Sequence, residues 1–112
     1  MLAWLVTLVS PTLAKNNMNL GTVTTLTFEP SVGEAFTLEG TGSIRLIESK
    51  ELPHPPFEGG RRQPFKLIFR GEAPMLHQGT YRLENETLGL LEIFLVPIAG
   101  DGTTFTYEAI FN

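Results

Sequence analysis

The chain has 112 residues, 42% of them apolar and 18% charged, with 8 Lys+Arg against 12 Asp+Glu and no cysteine. That length fits a single domain burying roughly 65% of the surface its unfolded form exposes, and the composition is not that of a disordered chain. A formal net charge of −4 opposes nucleic-acid binding, which needs a basic footprint, and the lack of cysteine removes disulfides, thiolate zinc sites and a cysteine nucleophile.

Residues 1–17 stand apart. Leu2–Val9 is almost wholly apolar around Trp4 and ends at Ser10-Pro11. A helix needs about 20 apolar residues to cross a bilayer, so no membrane span is expected. Three readings stand: an extension upstream of a true start at Met18, a signal peptide with the small Ala14 but no Lys or Arg in its n-region, or a real part of the fold. The domain is placed at residues 18–112, with a cytoplasmic location expected, or export if residues 1–14 act as a signal.

From Met18 onward apolar residues recur with period two between glycines and prolines, the pattern of short strands. Thr22–Phe28 is the first, carrying Val23, Leu26 and Phe28 and closed by Pro30. Ala35–Glu39 puts Phe36 and Leu38 on one face. Gly40-Thr41-Gly42 then turns the chain into Ser43–Leu52, where Ile44 and Leu46 meet that face across a hairpin. Glu48 and Lys50 continue the face into polar territory, so this strand is expected to outrun its partner or to bulge. Pro53–Pro64, with four prolines and two glycines, is a loop of the length at which loops are usually functional or mobile.

Phe65, Leu67 and Phe69 alternate with Lys66, Ile68 and Arg70 up to Gly71, a half-buried strand. Glu72–Gly79 is a second long connection, Thr80–Glu84 brings Tyr81 and Leu83 to one face, and Asn85–Gly89 turns. Leu90–Ile98, interrupted only by Glu92, is apolar on both faces, as expected of a strand covered on each side or lying in a closed barrel. Gly100-Asp101-Gly102 turns into a last strand with Phe105, Tyr107, Ala109 and Phe111 on one face. Six or seven such strands predict an all-β fold, an antiparallel meander forming a small barrel or sandwich.

Chemistry-bearing residues are sparse. His54 and His77 lie 23 positions apart in the sequence, without the i, i+2 or i, i+4 spacing that puts two imidazoles on one metal. They read either as unrelated loop residues or as one site where the two long loops meet. Counting outward from a turn near residue 100 pairs Glu92 with Glu108. Two opposed carboxylates suit glycoside chemistry, but they repel in a dry interior; the plainer reading points both to solvent or to Arg70 or Arg82. Ser31, Ser43 and Ser49 stand in no nucleophile elbow, and the glycine pairs precede strands, so no helix N-terminus cradles phosphate. Arg61 and Arg62, followed by Lys66 and Arg70, form the one basic concentration. Beside the loop aromatic Phe57 they have the composition of a binding hot spot, or of solvated arginines paired with Glu58 or Glu72.

Gly60–Gly71, Gln78–Leu83, Leu88-Gly89, Phe94–Ile98 and the ending Tyr107–Asn112 together resemble an uncharacterised family of small bacterial domains of unknown function, about as long as residues 18–112. The resemblance brings no activity or catalytic residue. It implies occurrence beside phage-tail-like fibre and collar proteins, hence an assembly role. The expectation is a non-enzymatic interaction domain without cofactor or metal, acting on a protein partner through Phe57, Arg61 and Arg62 and through exposed strand edges. The alternative is a small barrel binding or hydrolysing a ligand at its mouth with His54, His77 and Glu92.

Overall fold

A computed structural model of the chain describes residues 20–53 and 62–112. Six antiparallel strands make a closed barrel: β1 (Ala35–Leu38), β2 (Thr41–Glu51), β3 (Phe65–Glu72), β4 (Gly79–Asn85), β5 (Gly89–Gly100) and β6 (Thr104–Phe111). Their order around the wall is β1-β2-β3-β6-β5-β4, with β4 pairing back to β1. The meander therefore holds within each half, β1–β3 and β4–β6, while β3 is joined to β6 rather than to its sequence neighbour. The β3–β6 seam is regular from Phe65↔Phe111 to Glu72↔Thr104. Closure leaves no long edge on which another chain could polymerise.

Alternation dictates what fills the barrel. Phe36, Leu46, Phe65, Leu67, Phe69, Leu83 and Leu95 have no solvent exposure, with Ile93, Tyr107 and Ala109 nearly as buried. A six-stranded barrel is narrow enough for side chains to fill. Phe65 and Phe111 stack at 4.6 Å, and Phe36 meets Phe69 edge-on at 5.3 Å, geometries that add about 0.5–1.5 kcal/mol each beyond burial.

The seventh expected strand, Thr22–Phe28, is instead a short helix, α1 (Thr25–Phe28), running into a 3₁₀ turn at Glu29–Ser31. Thr24 is extended and caps it: its Oγ accepts from the Leu26 N–H at 3.2 Å, while its own N–H donates to the Thr27 hydroxyl at 3.1 Å. This reciprocal cap outweighs the weak helix propensity of a Thr-rich segment. The helix plugs one end of the barrel, with Phe28 fully buried and its ring 6.0 Å from Phe65 and 5.8 Å from Phe111.

A bulge makes the plug's socket. The β2–β3 register runs Leu46↔Phe69 and then Glu48↔Ile68, so Ile47 is the extra residue. Beyond it the inward parity switches: Glu48 and Lys50 point outward, and Ser49, opposite Leu67, turns in. The Ser49 hydroxyl lies 2.8 Å from the Thr25 hydroxyl and donates to the Thr25 carbonyl at 3.1 Å. In the 3₁₀ turn after α1, Ser31 is fully buried with a hydroxyl that has no hydrogen-bond partner among the described residues.

Glu92 and Glu108 do not face one another. Val96 pairs with Glu108, and Ile98 is an extra residue between Pro97↔Tyr107 and Ala99↔Thr106. The turn is centred beyond residue 100, because Asp101 caps it by accepting from the N–H groups of Thr103 and Thr104. Glu92 lies opposite Arg82 on β4.

Candidate functional site

Of the residues singled out in the sequence, Phe57, Arg61 and His54 lie outside the described residues. Arg62 is placed, and its role is internal. Its Nη1 donates to the carbonyls of Leu20 (2.7 Å) and Val23 (2.8 Å), and its Nε to that of Asn112 (2.9 Å). Its guanidinium also sits 5.6 Å from the Phe65 ring centre and 5.7 Å from that of Phe111. The planar fork thus ties the segment before α1 and the C-terminus to the start of β3. Nearby, Gln63 Nε2 donates to the Leu52 carbonyl at 2.7 Å and the Leu52 N–H to that of Pro64 at 2.9 Å, clasping the base of the long loop.

Of the ligand set His54, His77 and Glu92, only His77 and Glu92 lie among the described residues. The two long loops are anchored at opposite ends of the eight-residue β3, roughly 25 Å apart. His77 is exposed beside β4, where its carbonyl accepts from the Tyr81 hydroxyl at 2.5 Å. Glu92 is on the outer wall, 4.0 Å from Arg82, which also lies 3.7 Å from Glu39. Glu108 faces Lys66 at 4.0 Å. Among the described residues no group of three or more His, Asp or Glu is placed to hold a metal, and no helix is long and apolar enough to cross a membrane.

Two surface features stand out. The first is the outer face of β5 and β6. Leu91, Ile93 and Leu95 point into the core, whereas Phe94 is 50% exposed, Ile98 49% and Ile110 48%. The second apolar face of β5 is therefore left uncovered by the barrel. Val96 and Ile68 flank Glu108 in one row across the wall, and Ile110 lies beside Lys66 in the next, so the Lys66–Glu108 pair is set within apolar neighbours.

The second is a cleft at the end of the barrel away from α1. The β2–β3 ladder stops at Arg45↔Arg70, although β2 begins at Thr41 and β3 runs on to Glu72. Past the close approach of Ile44 to Gly71, β2 and β3 part around a cleft of about 440 Å³, lined inside by Leu38, Ile44, Leu76 and Tyr107 and at its rim by Arg45 and Arg70. The Tyr107 hydroxyl is fixed there by the Leu76 N–H at 2.9 Å. Both features depend on register and strand end-points, which the residue pattern does not encode. The two-faced apolarity of Leu90–Ile98 was the signal for the first.

No curated protein and no solved structure matches the chain. A family model described as "Domain of unknown function (DUF6916)" matches residues 23–111, a span running from Val23, just before the plug helix, to the end of β6, and this chain belongs to that family.

Proposed function

We propose that this domain is an interaction module that docks onto a larger protein assembly through the outer wall of β5 and β6. The observation that carries the reading is the exposure of Phe94, Ile98 and Ile110 on a barrel whose core is otherwise complete. Contiguous exposed apolar surface edged by charge marks association sites, and an aromatic at the centre of such a patch is the usual energetic anchor. The kind of assembly we propose, a phage-tail-like structure, is supported by the sequence resemblance alone. The test is size-exclusion of extracts from the native cell. The wild-type chain should run far above its monomer mass, and a Phe94→Glu, Ile110→Glu variant with an unchanged circular-dichroism melt should run as a monomer. Identical elution of the two would remove the proposal.

A further inference from the structure

The cleft at the end of β2 and β3 carries a more specific assignment, which rests on the reading of this domain as an interaction module. Arg45 and Arg70 are directly opposed across the ladder, an arrangement in which like charges repel. Of the other described cations, Arg62 is held by carbonyls, Lys66 lies by Glu108 and Arg82 by Glu39 and Glu92, while Lys50 is exposed on β2 beyond the bulge, away from this cleft. Arg45 spends one nitrogen on the Gly33 carbonyl. The Arg70 side chain has no hydrogen bond or ion pair among the described residues, and none of their carboxylates lies within 4.0 Å of either guanidinium. Glu72 lines the same cleft and offsets one of the two positive charges, leaving the rim cationic in a chain of net charge −4.

We infer that this cleft binds a carboxylate-bearing extended segment of a protein partner, the carboxylate bridging Arg45 and Arg70. Three features select that ligand. Paired guanidiniums present the forked donors that match a carboxylate. The ladder ends here: Ile44 still packs against Gly71, but past that contact Gly42 and Ser43 on one side and Glu72 on the other line the cleft beyond the β2–β3 pairing, an edge open to strand addition. The inner lining of Leu38, Ile44 and Leu76 takes the apolar side chains that alternate with acidic ones along an extended chain. A polyphosphate or nucleic acid would meet the net negative charge of the whole chain without using the apolar lining.

The test is an NMR titration of the ¹⁵N-labelled full chain with a blocked hexapeptide alternating valine and glutamate. Shifts should concentrate at Ser43–Arg45, Arg70–Glu72 and Leu76, and binding should weaken with added salt. Arg70→Gln, which breaks no side-chain hydrogen bond or ion pair among the described residues, should weaken it at least tenfold with an unchanged melt. No shifts at these residues, equal binding of the valine–glutamine peptide, or equal response to inorganic phosphate would each overturn the assignment. A Phe94→Glu, Ile110→Glu variant should titrate as wild type does. If the peptide fails while that variant still disrupts the assembly, the cleft assignment falls and the interaction reading stands.

Discussion

Replacing Arg62 with alanine separates a structural arginine from a contact residue. In the fold its guanidinium makes three hydrogen bonds to backbone carbonyls and lies against two rings. A hydrogen bond to a charged group is worth about 1.5–3 kcal/mol when buried. Here the site is half-exposed and water can reach the freed carbonyls, so about 1 kcal/mol each is the appropriate scale, with about 0.5 kcal/mol more from the rings. The total is about 3.5 kcal/mol, which for a domain near 100 residues lowers Tm by about 14–28 °C. Arg62→Lys keeps the charge but not the fork and should recover about a third of the loss. Chemical denaturation of both variants, with hydrogen exchange at Val23 and Phe111, is the assay. If Arg62→Ala melts within about 2 °C of wild type, the clamp contributes nothing and the side chain is free for a partner.

Three other substitutions test the packing. A Cβ on Gly71 would stand 2.7 Å from the Ile44 Cγ2, so Gly71→Ala should cost about 1–3 kcal/mol. The same change made in an Ile44→Ala background should cost measurably less, and an equal cost in both would refute the contact. Ser31→Ala removes a fully buried, unpartnered hydroxyl and should raise stability by about 1 kcal/mol in urea denaturation; a loss of that size would mean the hydroxyl is satisfied. The Thr104 N–H, and after it that of Thr103, hold the Asp101 carboxyl below its ordinary value near 3.8. Its contribution is thus complete above that value and lost as pH falls through the depressed one. The melting difference between wild type and Asp101→Asn should shrink from pH 5 to pH 2, and a constant difference would contradict the turn's capping.

Much of the barrel is legible because alternation is a local signal. Phe65, Leu67 and Phe69, and Tyr107, Ala109 and Phe111, announce an inward face from spacing alone, and both sets are buried. The bulge in β2 is legible too, since Glu48 and Lys50 could not continue the face of Ile44 and Leu46 into the core. What escapes is set by partners distant in sequence. Thr24–Phe28 has strand composition, and only the reciprocal Thr24–Thr27 cap makes it a helix. Equal counting from a turn assumes no extra residue, so the bulge at Ile98 and a turn displaced toward Asp101 moved Glu108 from Glu92 to Val96. Arg62 read as a contact because the carbonyls it clamps belong to residues 20, 23 and 112. The opposition of Arg45 and Arg70 likewise depends on the β2 bulge, which fixes the register on both sides of it.

Site-specific photocrosslinking addresses the interaction surface most directly. A photoreactive residue placed at Phe94 or Ile110 on the outer wall, and another at Glu86 in the exposed β4–β5 turn, would be irradiated in native cells and resolved by mass. The account predicts the same discrete heavier product from positions 94 and 110 and none from position 86. Equal products from all three positions, or none from the wall, would contradict it.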